Sequence, residues 1–276
     1  MTDYEQIRYD VDDPVAVITL NRPDALNAWT EVMAGEFFEA MRRATADKSV
    51  VGIIVTGAGR GFCAGADMRN LQGLSSNGPS ARVRATPQLP GDPAWGEDLR
   101  GLYSSLLSVE KPIIAAINGA VAGMAVPLTL ACDMRYMSTA GKYTVAFSQR
   151  GLIGEWGVSW LLPRLVGPSV ALDMMMSSRL IGADEALRVG LVNRVLEPDN
   201  LLDAAREYIF ELAAKCSPAS MAVMKRQINE HLHKGLADAE AQARQFMQDS
   251  FGRPDFAEGV KSFVEKRPPS FARLGN

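Results

Sequence analysis

Histidine and cysteine are scarce in this chain of 276 residues, which contains two histidines and three cysteines. His231 and His233 lie in a polar stretch with helical character, so neither a Ser-His-Asp triad nor a histidine-based metal site is expected. Cys63, Cys132 and Cys216 are far apart and show no CxxC or CxxH spacing, which argues against a disulfide framework and against a zinc site. We expect the two cysteines that lie in apolar runs, Cys63 and Cys132, to be buried thiols.

A strong net charge and a long apolar segment are also missing. The formal net charge is −3, and a weakly acidic chain lacks the basic footprint of a nucleic-acid-binding protein. The longest apolar run, near residues 112–126, is interrupted by Asn118, Gly119 and Gly123 and is too short to cross a bilayer. Residues 1–13 are polar and acidic and do not resemble a signal peptide. We therefore expect a cytoplasmic protein whose partners include neither nucleic acid nor membrane.

Short apolar runs followed by glycine-rich loops dominate the first two thirds of the chain. The apolar spacing over Asn27 to Ala46 predicts a helix. Short runs rich in apolar and β-branched residues predict strands over Val15 to Leu20, Val50 to Thr56, Ile113 to Ile117, Met134 to Met137 and Tyr143 to Phe147. The succession of strand, glycine loop and helix occurs twice, which predicts an α/β fold of repeated ββα units with helices packed on mostly parallel sheets.

The last third has a different character, because only helical patterns follow Asp199. The first predicted helix covers Asp199 to Lys215. The second begins at Ser217 and Pro218, an N-cap and a first-turn proline, and ends near Gly235. Two more follow, over Leu236 to Phe251 and Asp255 to Val264. We predict a core over residues 1–198 and a helical region over residues 199–276, with no linker between them. A segment rich in Gly, Pro, Ser and Arg, Ser75 to Pro93, is predicted to be a mobile surface loop of the kind that often forms a lid.

Two loops that follow buried strands are candidates for binding an anionic oxygen. In the first, Arg60 to Met68, the small residues Ala64, Gly65 and Ala66 allow a ligand to approach the backbone closely, and free N–H groups there can bind an oxyanion. Glycine content alone favours the alternative, a tight turn that packs against a neighbour. The sequence therefore marks this loop as a candidate without settling its role.

The second candidate loop runs from Ile117 to Pro127. Pro127 fits a helix only in its first turn, where the missing N–H costs nothing, so the helix is predicted to begin near Gly123 and Met124. The N–H of Met124 would then lie at the positive end of the helix dipole. We predict that the N–H groups of Ala64 and Met124 converge on one oxygen atom.

The two loops, taken together, resemble the paired signature of the crotonase (enoyl-CoA hydratase/isomerase) superfamily. Each motif is weak alone, but many occur in the expected order over nearly the whole chain. They are Leu20-Asn21-Arg22-Pro23, Ala25-Leu26-Asn27-Ala28, Phe62-Cys63-Ala64-Gly65-Ala66-Asp67, Lys111-Pro112, Asn118-Gly119-Ala120-Val121-Ala122-Gly123-Met124, Leu161-Leu162-Pro163-Arg164-Leu165-Val166-Gly167, Gly190-Leu191-Val192-Asn193 and Phe263-Val264-Glu265-Lys266-Arg267.

The resemblance implies a crotonase-like spiral of ββα units with a C-terminal helical region used for trimerisation, and a homo-oligomer that is a trimer or hexamer. It implies an acyl-CoA thioester as substrate, with coenzyme A as part of the substrate and no separate cofactor or metal. The N–H groups of Ala64 and Met124 would form the oxyanion hole. The other substrate-binding residues that it implies within one chain are Arg22, Ala25, Cys63, Ala66, Asp67 and Gly123. It also implies that Phe263 and Lys266 reach the CoA of a neighbouring subunit. The chain departs from many relatives at Asp24, where they have a basic residue, so a phosphate contact is in doubt.

The choice of reaction depends on carboxylates. Hydratases of this family use two glutamates, and the matching positions here are Pro127 and Phe147, neither of which can transfer a proton. One acid remains nearby, Glu155, at a point where relatives that shift the enoyl double bond carry a Glu or Asp. We predict that Glu155 is the acid/base, that burial beside Trp156 and Trp160 raises its pKa, and that isomerisation is favoured over hydration.

Other activities stay open at this stage. Glu155 could position water alone, as a hydratase, or could act as the nucleophile of a hydrolase or dehalogenase, although the histidine that dehalogenating relatives use has no counterpart near Arg100. A solvated surface carboxylate is the simplest alternative for Glu155. A non-catalytic member that binds CoA or RNA is a further alternative, and the acidic isoelectric point argues against RNA.

Overall fold

The computed structural model describes residues 4–67, 72 and 87–275. The strands in that part of the chain are β1 (Ile7–Asp12), β2 (Val15–Leu20), β3 (Gly52–Gly57), β4 (Gly61–Cys63), β5 (Ile113–Ile117), β6 (Ala120–Ala122), β7 (Met134–Ser138), β8 (Lys142–Thr144), β9 (Ile181–Gly182) and β10 (Arg194–Leu196). The α-helices are α1 (Glu31–Ala46), α2 (Ala125–Leu130), α3 (Val158–Val166), α4 (Pro168–Ser177), α5 (Ala183–Arg188), α6 (Leu201–Lys215), α7 (Pro218–His231), α8 (Leu236–Phe251) and α9 (Pro254–Glu265).

From β3 to β8, successive strands alternate between two sheets. The larger sheet has the order β1-β2-β3-β5-β7-β10 and the smaller one the order β4-β6-β8-β9. Each pair β3–β4, β5–β6 and β7–β8 therefore gives its first strand to the larger sheet and its second to the smaller. All neighbours are parallel except β1 with β2 and β8 with β9. This repeated step confirms the predicted spiral of ββα units on mostly parallel sheets.

Strand β2 shows why the larger sheet is apolar throughout. Its alternate residues Ala16, Ile18 and Leu20 belong to one core cluster, which includes residues of α1. Val15 and Val17 point to the opposite face, which α6 covers. Because side chains alternate along a strand and both faces are covered, the strand becomes a continuous buried apolar run.

The predicted helix at the start of the core begins later than expected. It starts at Glu31, because Thr30 caps it by accepting a hydrogen bond from the Met33 N–H at 3.1 Å, and Asn27 adopts a left-handed φ of 55° that no helix allows. The predicted strand over residues 143–147 is wrong beyond Thr144, since Ala146 has a φ of 59° and a 3-10 turn follows at Ser148–Arg150.

The helical tail follows the prediction closely. Ser217 accepts the Ser220 N–H at 3.0 Å and Pro218 occupies the first turn of α7, as predicted, although α7 ends at His231. Helix α6 begins at Leu201, because Pro198–Asn200 forms a 3-10 turn. The boundary at residue 198 stays a prediction. The predicted loop over residues 75–93 lies outside the described residues up to residue 86. No helix in the described ranges is both long and apolar enough to cross a membrane.

Candidate active site

The two candidate loops meet at Gly65. The first loop is held beside the start of α1, since the Trp29 N–H donates to the Gly65 carbonyl oxygen at 2.7 Å and the Asp67 N–H donates to the Trp29 carbonyl oxygen at 3.1 Å. Gly65 has a φ of 95°, and a Cβ atom there would lie 2.8 Å from the Ala122 carbonyl oxygen and 3.4 Å from the Met124 nitrogen. Only glycine permits this approach, so the loop before α2 and the loop after β4 form one site.

Ala64 does not supply the free N–H that the sequence predicts. Its N–H donates to the Leu26 carbonyl oxygen at 3.0 Å, so the prediction for Ala64 as an oxyanion donor is wrong. The N–H of Ala66 is a better candidate, because it makes no hydrogen bond with the part of the chain that the structure describes. The Gly65 carbonyl oxygen and the Asp67 N–H both form hydrogen bonds with the backbone of Trp29. The N–H of Ala66, which lies between them, therefore points away from Trp29.

Met124 occupies the position that the sequence predicts. It is the N-cap of α2, with φ −59° and ψ −20°, and Pro127 lies in the first turn of that helix. Within the described residues, the Met124 N–H has no hydrogen-bond acceptor. The pair of unengaged N–H groups beside Gly65 therefore belongs to Ala66 and Met124.

Two asparagine side chains hold the turn between β3 and β4, and sequence reasoning gave neither a role. The fully buried Asn27 donates to the carbonyl oxygens of Ala58 at 2.9 Å and Gly61 at 2.8 Å, and its Oδ1 accepts the Arg22 N–H at 2.8 Å. Asn118 accepts the Gly57 N–H at 3.1 Å and donates to the Gly59 carbonyl oxygen at 2.9 Å. An asparagine directly after a strand, as at Asn118, is the signal that sequence reasoning could have used.

Arg22 and Asp67 are brought together as an ion pair of 3.0 Å. Arg22 also donates to the Ala28 carbonyl oxygen. The guanidinium therefore joins the segment around residue 22 to the loop at Ala66, and the predicted contact between Arg22 and CoA has to be made with a charge that Asp67 already neutralises in part. Ala25, in the 3-10 turn Pro23–Ala25, is half-buried beside it.

Cys63 does not line a CoA groove with its side chain. The residue is fully buried in the main core cluster, and that burial raises the pKa of its thiol to about 12. The prediction that Cys63 lines the CoA site therefore leaves only its backbone for the contact, and it stays a prediction. The expectation of buried thiols at Cys63 and Cys132 is confirmed.

Glu155 lies in a turn with left-handed backbone at Gly151, Trp156 and Gly157, whose φ values are 65°, 55° and 81°. Its side chain is half-buried, and its carboxylate has no hydrogen bond or ion pair with any residue in the described ranges. The predicted enclosure by two tryptophans is wrong in part. Trp156 is 40% exposed, and Trp160 stacks instead on His233, with 4.8 Å between ring centroids.

Aromatic rings connect the Glu155 turn to the donor loop. The centroids of Trp156 and Tyr103 are 6.1 Å apart, and those of Tyr103 and Trp29 are 6.3 Å apart. Trp29 is the residue whose backbone pairs with the loop at Ala66. The acid and the two N–H donors therefore belong to one connected part of the molecule.

Both positions where a hydratase would carry glutamate are apolar and buried. Pro127 is buried in α2, and Phe147 is 4% exposed. Among the described residues, no group of three or more His, Cys, Asp and Glu side chains could hold a metal ion.

Phe263 and Lys266 lie at the C-terminal end of α9. Phe263 is 84% exposed on α9, and Lys266 is the left-handed C-cap of that helix. No hydrogen bond, ion pair or ring contact in the described ranges joins either residue to the loops around residues 22–28, 64–67 and 123–124. Their contact with the CoA of a neighbouring subunit stays a prediction.

The comparison with known proteins agrees with this architecture. The sequence model of the enoyl-CoA hydratase/isomerase family matches residues 10–273. The chain therefore belongs to the enoyl-CoA hydratase/isomerase family of acyl-CoA enzymes.

Individual relatives cover almost the full chain. A probable enoyl-CoA hydratase from Rhodobacter capsulatus is 34% identical over 272 residues, which are 97% of this chain and 98% of the relative. The 1,2-epoxyphenylacetyl-CoA isomerase of Escherichia coli is 30% identical, again over 97% of this chain and 98% of the relative. The crystal structure of an enoyl-CoA hydratase from Bacillus anthracis superimposes with a TM-score of 0.86 at 27% identity, covering 97% of this chain and 99% of that one.

Proposed function

We propose that this enzyme moves the double bond of a 3-enoyl-CoA to the 2-position, with Glu155 as its only acid/base. The observation that supports this proposal is the combination of Glu155, whose carboxylate has no partner among the described residues, with two buried apolar residues, Pro127 and Phe147, where a hydratase needs carboxylates. A single carboxylate is sufficient for isomerisation because the same group takes and returns the proton.

The proposed reaction has two proton transfers. The thioester oxygen accepts hydrogen bonds from the N–H groups of Ala66 and Met124, which stabilise the negative charge that develops on it. Glu155 removes a proton from C2, and the electron pair delocalises over the thioester and the double bond as a dienolate. The protonated Glu155 then delivers the proton to C4, which leaves the double bond between C2 and C3. No group beyond the CoA of the substrate is needed, since nothing is oxidised or reduced.

The distribution of acids in the sequence supports Glu155 as the base. Residues 68–91 contain no Asp or Glu, so the segment after the donor loop supplies no carboxylate until Asp92. The Asp92 side chain accepts the Ala94 N–H at 2.8 Å, and Asp67 is paired with Arg22. Asp67 and Asp92 are thus engaged, whereas the Glu155 carboxylate has no hydrogen bond or ion pair with any residue that the structure describes.

Hydration by Glu155 alone is the second candidate. The observation that favours it is the number of relatives described as hydratases, including the one from Rhodobacter capsulatus. Hydration requires activation of a water molecule as well as delivery of a proton to C2, which two acids accomplish more readily than one. The two candidates therefore differ in whether water enters the product.

We also propose that the CoA site is completed by a second subunit in a trimer or hexamer. Arg22, Ala25, Ala66 and Gly123 would line the groove in one chain. Arg273, in the tail, lies near the start of β2, since it donates to the Asp13 carboxylate, whereas Arg22 follows the opposite end of that strand.

The distance along β2 makes this arrangement plausible on geometric grounds. Six residues of strand span about 20 Å. Helix α9 is also tied at its start to that side, because Ser217 donates to the Asp255 carboxylate. Phe263 and Lys266 would then project toward a neighbour's CoA more easily than toward their own.

The proposed reaction is tested with 3-hexenoyl-CoA and 2-hexenoyl-CoA supplied in deuterated water. We expect the 3-enoyl ester to be isomerised faster than the 2-enoyl ester is hydrated, and deuterium to appear at C2 and C4. Glu155→Gln should stop exchange, a loss of about a hundredfold to ten-thousandfold, while CoA binding measured by calorimetry stays near that of the wild type. Fast hydration with negligible isomerisation, or a folded Glu155→Gln enzyme that exchanges at the wild-type rate, would contradict the proposal.

A further inference from the structure

Trp156 leaves an unusual amount of aromatic surface uncovered. Trp29 and Trp95 are each 6% exposed, whereas Trp156 is 40% exposed. A tryptophan buries a large apolar area when it is covered, so an indole held open at the surface keeps apolar surface available for a ligand.

The backbone holds this indole next to the proposed base. Trp156 has a φ of 55°, in a region that L-residues with bulky side chains adopt at an energetic cost. Strained backbone of this kind clusters at functional sites, where the surrounding structure fixes it. Glu155 immediately precedes Trp156, so one strained turn sets the position of both side chains.

Ring contacts fix the indole against the core. The rings of Trp156 and Tyr103 are at 85° to one another with 6.1 Å between centroids, and Tyr103 is only 1% exposed. Tyr103 in turn contacts Trp29, whose backbone pairs with the loop that carries Ala66. The uncovered part of Trp156 is thus a rigid surface on the same connected unit as the proposed base and the proposed oxyanion donors.

We propose that Trp156 forms one wall of the acyl site and selects acyl groups that carry a flat ring or a conjugated chain. A planar group can pack against the indole and gains an aromatic contribution beyond the area that it buries, whereas a short saturated chain gains only the burial. This inference rests on the proposed function in one respect, because it takes Glu155 to face the acyl chain.

The chain offers a matched control in the same turn. Ile153 is 78% exposed, more than Trp156, but it is aliphatic and makes no ring contact with Tyr103. If any exposed apolar side chain of this turn were enough to bind the acyl group, Ile153→Ala and a Trp156 variant would have similar effects.

The test measures binding, so that it does not depend on turnover. The probes are 3-phenylpropionyl-CoA, which carries a ring, and butyryl-CoA, which does not, each titrated by calorimetry into the assembled enzyme. Trp156→Leu should weaken the phenylpropionyl ester about threefold to tenfold and leave butyryl-CoA within about twofold. Trp156→Phe should keep most of the wild-type preference, and Ile153→Ala should leave both dissociation constants unchanged.

Three outcomes would overturn the proposal. Equal weakening of both esters by Trp156→Leu would show that no ring is recognised. A change of oligomeric state in light scattering would assign the exposed indole to a subunit contact. An effect of Ile153→Ala as large as that of Trp156→Leu would remove the special role of the indole.

Failure of the proposed wall is distinguishable from failure of the proposed function. Ring selectivity in an enzyme that shows no C2 deuterium exchange would reject Glu155 as a base and keep Trp156 as the wall. C2 deuterium exchange that depends on Glu155, without ring selectivity at Trp156, would keep Glu155 as the base and reject Trp156 as the wall.

Discussion

The loops of the candidate site and the C-terminal helices are stabilised in different ways. The loops of the site are fixed by backbone hydrogen bonds and by the buried amide of Asn27, so the positions of the two N–H donors are set within one chain. The tail instead leaves much of its apolar surface open: of the twenty exposed large hydrophobic residues in the described ranges, nine precede residue 199 and eleven follow it. Since the tail is the shorter region, this enrichment indicates a surface suited to association. On the proposals above, the reaction takes place in the first region and subunits associate through the second.

The two regions are nevertheless connected through a few side chains. Lys225 on α7 pairs with Asp133 at 2.7 Å, and the same carboxylate oxygen accepts the Ile113 N–H at the start of β5. Near the Glu155 turn, His233 stacks on Trp160. The tail therefore contacts both the central strand before the second donor loop and the helix that follows the proposed base.

The largest effect is expected from removing a backbone donor in the first region. Met124→Pro deletes the N–H without demanding a new backbone conformation, because the φ of −59° at Met124 already suits proline, and the preceding Gly123 tolerates unusual geometry. We expect a rate loss of about a hundredfold or more, measured as C2 deuterium exchange.

Met124→Ala is the control for this variant, since it shortens the side chain and keeps the N–H. It should retain much of the activity, and circular dichroism should show both variants folded. A folded proline variant that exchanges at the wild-type rate would mean that the oxyanion is held elsewhere.

The donor pair also shows how far the sequence could predict the site. Pro127 located the start of α2 to within about one turn, because a proline is tolerated best in the first turn of a helix, and Met124 followed from it. Ala64 was the wrong member of its loop, because which N–H is free depends on the pairing of Gly65 and Asp67 with Trp29, a residue distant in the sequence. Long-range pairing of this kind has no local signal.

The same distinction applies to the fold. The buried strands Val15–Leu20 and Ile113–Ile117 were predicted with their observed bounds, because fully apolar runs that end in turn residues have a clear pattern. The three-residue strands β4 and β6 were not predicted as strands, since they read as parts of glycine loops. Their role in the second sheet is set by the alternation between sheets, which only the folded chain reveals.

A smaller effect is expected in the tail, where binding is proposed to involve a neighbour. Lys266→Asn removes the charge and suits the left-handed backbone at this C-cap, which has a φ of 53°. We expect CoA affinity to fall about threefold to fivefold, the size of an exposed ion-pair contribution, with the deficit shrinking at high salt. Light scattering of the wild type should give a trimer or hexamer.

Lys261→Gln is the matched control, because it neutralises another exposed lysine of α9 and should leave the affinity unchanged. An equal loss of CoA affinity in both variants would show that Lys266 acts only through the general charge of α9 and makes no specific contact with CoA. A stable monomer with full CoA affinity would show that CoA binding needs no second subunit, and the tail would then have no role in binding.

The smallest effect concerns the fold-back of the tail after α9, which acid should loosen before it affects the site. Hydrogen bonds from Arg267, and then from the Ser270 N–H, lower the pKa of Glu258 to about 2. A depressed carboxyl pKa stabilises the folded form fully above the unfolded value of about 4.3, and this contribution is lost as the pH falls toward 2.

Hydrogen exchange of peptides covering residues 266–275, corrected for the intrinsic pH dependence, should therefore show protection falling over that window, while peptides around Asn27 stay protected. Glu258→Gln, which does not titrate, should make the tail's protection independent of pH in the same range. Simultaneous loss of protection in both regions would show that the tail and the site unfold as one unit.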